Sequence, residues 1–91
     1  MRRVANAPKT ACFSVHAAAE PSVMPRVMEQ FAKRGLVPCQ WHSTLAPEDG
    51  AALVIDIQVE GLAPALVTPI AEALRRIVYV DAVLTAEKGG A

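Results

Sequence analysis

The sequence predicts an α+β sandwich of element order β-α-β-β-α-β, with four antiparallel strands and two helices on one face of the sheet. Two observations carry this. The spacing of apolar residues switches between a period of two and a period of about 3.6 as the chain proceeds. Each helical stretch is flanked by alternating ones, and the two middle strands are separated only by a turn, which is the split βαβ arrangement. At 91 residues the chain has room for one domain and one core.

The expected boundaries are a flexible N-terminal arm over residues 1–10, a single domain over 11–87 and a tail over 88–91. From Ala11 to Ala17, Phe13 and Val15 share one face while Cys12, Ser14 and His16 share the other, as in a half-buried strand. Val23, Met24, Val27, Met28 and Phe31 then fall at helical spacing, with Arg26, Glu29, Gln30, Lys33 and Arg34 between them. Ser22 is placed to cap this helix, Pro25 is tolerable in its first turn, and Gly35 after Lys33-Arg34 ends it.

Val37, Cys39 and Trp41 alternate with Pro38, Gln40 and His42, which marks a second strand over Val37–Ser43. Pro38 cannot donate to a ladder, so this strand belongs at a sheet edge. Residues 46–50 read as a turn, and Leu53, Ile55, Ile57 and Val59 alternate with Val54, Asp56, Gln58 and Glu60 in the cleanest strand of the chain. Polar residues on its second face indicate a sheet covered on one side only. Leu66, Val67, Ile70, Leu74 and Ile77 mark a second helix, either kinked at Pro69 or beginning at Thr68-Pro69. Val80, Ala82 and Leu84 form the last strand.

Composition excludes several function classes. The chain is 53% hydrophobic and 20% charged, with nine basic and nine acidic residues, so it has no net electrostatic footprint for nucleic acid or anionic lipid. Its four aromatic residues, Phe13, Phe31, Trp41 and Tyr79, are too few for a base-stacking platform. No apolar run approaches a membrane span, and the basic start is followed by Ala5-Asn6-Ala7-Pro8-Lys9 rather than an apolar stretch, which reads as no signal peptide and a cytoplasmic location. Cys12 and Cys39 lie too far apart for a metal knuckle, and with Cys12 on the open face and Cys39 on the helix face they cannot pair. His16, His42 and Asp56 share the open face. The strand order sets the two histidines two strands apart, so a polar solvated or interface face is expected there rather than a metal site, and neither catalytic residues nor a cofactor is expected.

The loop before the first helix, residues 17–22, lacks the paired thiols of metal carriers and the arginine of a phosphate cradle. What it does carry, Glu20-Pro21-Ser22-Val23-Met24-Pro25-Arg26-Val27 followed by Gln30-Phe31-Ala32-Lys33-Arg34-Gly35-Leu36, resembles the first crossover of ACT domains. The resemblance is greatest to the small regulatory subunits of bacterial acetolactate synthase, whose pattern runs Asn-Glu-Pro-Gly-Val-Leu-x-Arg-Val and then Leu-Phe-x-Arg-Arg-Gly. It implies a ferredoxin-like, ACT-type fold and a regulatory role without catalysis. It also implies an amino-acid effector site in the loop at Ala18, Ala19, Glu20, Pro21, Ser22, Val23 and Met24, where helix N–H groups receive a carboxylate. Ala19 stands at the family's Asn position and Ser22 at its Gly position, which implies weak or absent response to branched-chain amino acids. The implied partners are a second copy, joined through Val37, Cys39, Gln40, Trp41 and His42, and the thiamine-diphosphate-dependent catalytic subunit of acetolactate synthase. The alternative is a free-standing homodimer that binds an amino acid or other small ligand.

Overall fold

The computed structural model describes residues 9–46, 48 and 50–89. Strand β1 (Thr10–Ala18) leads into helix α1 (Val23–Ala32), the hairpin of β2 (Gln40–Leu45) and β3 (Ala52–Glu60) follows, and helix α2 (Val67–Arg75) returns to β4 (Val80–Lys88). The sheet is antiparallel with order β2-β3-β1-β4, so the chain has the expected ferredoxin-like sandwich. Residues 1–8, 47, 49, 90 and 91 lie outside the described part, and with them most of the expected arm and half of the expected tail. Thr10 and Lys88 are already strand residues.

The period-two pattern of β1 and β3 decides which face is buried. Phe13, Val15, Leu53, Ile55, Ile57 and Val59 point to the helices and are almost wholly enclosed. They meet Val23, Val27 and Phe31 of α1 and Ile70, Ala71 and Leu74 of α2. Phe13 and Phe31 meet edge to face, with ring centroids 5.5 Å apart and an interplanar angle of 74°. Met24 and Met28, part of the same apolar stripe in the sequence, stay 39% and 40% exposed on the flank of α1. The core takes the narrower row at 23, 27 and 31.

Four local expectations are corrected. Ser22 stands at the N-cap position in helical conformation and its hydroxyl makes no capping bond. The second helix begins before Pro69 rather than at Thr68-Pro69. A single 3₁₀ turn, Pro64–Leu66, is followed directly by α2, and Pro69 is the third residue of α2, where its missing N–H leaves no intrahelical bond unmade. Ladder pairing of β2 begins at Gln40 rather than at Val37, which is 86% exposed. In β4 the register shifts between His16 and Ala17 of its neighbour, leaving Asp81 as an extra residue. The alternation read through Val80, Ala82 and Leu84 therefore breaks. Val83 enters the core, while Ala82 and Leu84 stand opposite His16 and Ser14 on the open face.

Gly35 ends α1 with φ 72°. Its N–H donates to the Ala32 carbonyl at 2.9 Å and that of Leu36 to the Phe31 carbonyl at 2.9 Å, the paired bonds of a Schellman motif. A Cβ at Gly35 would meet no atom within 4 Å, so the requirement for glycine is conformational alone. Gly35→Ala is therefore expected to lower unfolding stability by about 1 kcal/mol, the left-handed strain less the gain from a stiffer unfolded chain. Phe31→Ala, which empties a core position, should cost about 3–5 kcal/mol. Urea unfolding of the two variants checks both values.

Candidate functional site

The loop between β1 and α1 is held by its own backbone. The Ala18 N–H donates to the Tyr79 carbonyl, that of Ala19 to the Ala51 carbonyl and that of Glu20 to the Ala18 carbonyl, all at 2.8–2.9 Å. The Val23 N–H donates to the Glu20 carbonyl at 3.0 Å, and Pro25 has none to offer. Ala19 is half-buried against the core, whereas Glu20, Pro21 and Met24 are exposed. No acidic side chain occupies the first turn of α1, so the positive end of its dipole has no carboxylate within that turn.

Beside this loop runs the edge strand β2. Trp41, Ser43 and Leu45 stand opposite the buried Ile57, Ile55 and Leu53 and so lie on the helix side of the sheet. Gln40, His42 and Thr44 lie on the open side, opposite Gln58, Asp56 and Val54. The Trp41 indole Nε1–H donates to Ser43 Oγ at 2.9 Å, and the Ser43 hydroxyl donates to Met24 Sδ at 3.4 Å. This chain of contacts joins the loop to the edge strand, two regions that the sequence nominated separately. Val37 and Cys39 lie just outside β2 and are exposed. Cys39 does not reach the helix-side core: its N–H and Sγ both donate to the Gln58 carbonyl, at 2.8 and 3.4 Å, because Pro38 delays the ladder.

The open face of the sheet forms a hollow of about 330 Å³ bordered by Cys12, Ser14, His42, Asp56, Gln58 and Leu84. His42 faces Asp56 across the ladder and Asp56 faces Ser14, while Ser14 Oγ lies 3.2 Å from Nε2 of His16. The histidines thus stand two strands apart. Among the described residues no cluster of three or more His, Cys, Asp or Glu is placed to hold a metal.

Tyr79 is the residue the sequence does not nominate. Its φ is 78°, the one positive value among described residues other than glycine. It occupies the third place of the turn Ile77–Val80, closed by the Val80 N–H on the Ile77 carbonyl at 3.1 Å, a place usually given to glycine. Through its carbonyl it holds Ala18 at the head of the loop. Ile-Val-Tyr-Val contains no Gly, Asn or Asp, so no turn signal marks it.

An ACT-like domain model matches residues 4–89. The chain belongs to the ACT-like domain family. Domains of this family are regulatory modules of the small-ligand-binding type. The ACT domain of GTP pyrophosphokinase from Chlorobium tepidum superposes with a TM-score of 0.70 at 10% identity, covering 85% of this chain and 96% of that one. The C-terminal domain of the MgtC protein from Mycobacterium tuberculosis gives 0.69 at 16% identity, covering 92% and 90%. The regulatory subunit of aspartate kinase from Thermus flavus gives 0.62 at 11% identity, covering 92% of this ACT-like domain and 53% of that chain. These likenesses concern the fold. No curated protein matches the sequence, and no helix among the described residues is long and apolar enough to cross a membrane.

Because the Ser22 hydroxyl makes no capping bond, Ser22→Ala is expected to change unfolding stability by less than about 0.5 kcal/mol, where loss of a working cap costs about 1 kcal/mol. Chemical denaturation of the single variant distinguishes the two values.

Proposed function

We propose that this ACT-like domain is a non-catalytic regulatory subunit that works as a homodimer joined along β2, with the loop from Ala18 to Met24 as its effector region. The observation that carries the reading is the Met24–Ser43–Trp41 chain of hydrogen bonds, which makes the loop and the edge strand one continuous surface. Edge strands present unpaired backbone groups, and this one carries the exposed Leu45 and touches the exposed Met24, apolar surface suited to a second copy. Pairing would concentrate near Trp41, downstream of Pro38.

The finer reading rests on the sequence resemblance within residues 19–37. In it the partner is the thiamine-diphosphate-dependent catalytic subunit of acetolactate synthase, in branched-chain amino-acid biosynthesis. The small subunit favours the partner's active state by binding it more tightly than the inactive one. All cofactor chemistry lies on the partner. Ala19 offers no side-chain amide to an effector and its N–H is already engaged by the Ala51 carbonyl, while Ser22 adds a Cβ where close approach is wanted. Both support activation without strong valine feedback.

Two measurements test this. Leu45 is 56% exposed at the proposed dimer edge, so Leu45→Lys should leave the fold intact and shift sedimentation from dimer to monomer. A monomeric wild-type chain at high concentration contradicts the dimer. Acetolactate synthase activity of the cognate catalytic subunit should rise when the chain is added and should respond little to valine. No stimulation and no co-elution, with the dimer intact, would instead assign the chain as a free-standing homodimer and direct attention to its own ligand.

A further inference from the structure

Nine cations and nine anions cancel over the whole sequence, but not over its surface. A groove of about 330 Å³ runs between α1 and α2, and Arg26, Lys33, Arg34 and Arg76 line it with Glu29 as the single acid. Four positive charges against one leave a surplus of three. Among the described residues the ion pairs are Lys9–Glu87 and Arg75–Glu72, so none of the four groove cations has a carboxylate within 4.0 Å. Arg34 is anchored by one guanidinium nitrogen, which donates to the Gln30 carbonyl at 2.7 Å and to Gln30 Oε1 at 3.2 Å. Its other N–H groups remain for a ligand.

Helix stability accounts for three of these cations and not for the fourth. Lys33 and Arg34 follow the last turn of α1, and Arg76 caps α2, where a positive charge complements the dipole. Arg26 is the fourth residue of α1, close to the positive end, where a cation is disfavoured. Its side chain also adds to the repulsion within the groove.

The spacing selects the kind of anion. Arg26 and Lys33 are seven residues apart, about 10 Å along a helix axis. A single phosphate or carboxylate pairs closely only with the cations that come within about 4 Å of it. An extended acidic chain offers a carboxylate every ~6.6 Å along one face, so that several can meet cations dispersed along the groove. We propose that the α1–α2 groove docks an acidic segment of a partner protein. The surface lies on the flank of α1 opposite Met24 and its contact with β2, so it does not depend on the dimer or on the identity of the effector.

The test uses the full chain and a fluorescein-labelled hexaglutamate peptide, read by anisotropy at low salt. Saturable binding is expected, weakening as salt screens the exposed charges. R26E/K33E should weaken it at least tenfold, whereas K9E/K88E, which makes the same change in net charge elsewhere, should weaken it less than threefold. Circular dichroism confirms that both variants fold, and Arg26→Glu is itself favourable to the start of α1. Inorganic pyrophosphate serves as the compact competitor and should displace the peptide only at much higher concentration. Absence of binding, equal loss in the two double variants, or displacement by pyrophosphate at concentrations matching the peptide would each overturn the proposal.

Discussion

The structure depends on a one-sided core. The alternation of β1 and β3 sends one row of side chains, Phe13 and Val15 with Leu53, Ile55, Ile57 and Val59, into contact with both helices. Among the described residues, no helix covers the other row. A domain of this size buries only about 60–70% of the surface its unfolded chain exposes. The uncovered face and the two edge strands follow directly, and every candidate for function lies on a part of the molecule that the core leaves unclosed.

The two edges are treated differently. At β4, Arg75 donates to the Val83 carbonyl at 2.8 Å, so a side chain of α2 engages the backbone of that edge strand. At β2, the corresponding contacts run between side chains, Trp41 to Ser43 to Met24, and tie the strand to the start of α1. One edge is engaged from within at a single carbonyl. The other is joined to the loop that the ACT-like family relationship makes interesting, which is why a shared site formed by loop and edge is the economical reading.

The order of elements was legible because apolar spacing reports directly on which face is buried, and burial by the core is strong enough to override weaker local preferences. Phe13, Val27, Phe31, Ile55 and Leu74 all occupy the positions their spacing requires. What escaped is set by local hydrogen bonding and register, which side-chain hydropathy does not encode. The bulge at Asp81 moves Val83 rather than Leu84 into the core. Proline's missing N–H near residue 38 delays the β2 ladder, and the 3₁₀ turn at Pro64–Leu66 resolves the conflict at Pro69. Tyr79 holds a glycine-like conformation because the Val80 and Ala18 N–H groups are satisfied through that turn, a tertiary arrangement no local pattern announces. The candidate loop was found through motif residues, but its contact with β2 required the fold. Likewise, the groove cations were each visible as ordinary helix residues, and only the packing of α1 beside α2 gathers them.

The central claim is that β2 and the adjoining loop form a surface completed by a second copy. Hydrogen exchange of the Gln40–Leu45 amides, measured across protein concentration, tests it most directly. Amides of an edge covered by a partner gain protection as the dimer fills, while those of β1, paired on both sides within one chain, do not change. The account predicts protection of β2 that rises with concentration and falls in step with dissociation. Exchange at β2 that stays fast and independent of concentration would contradict it.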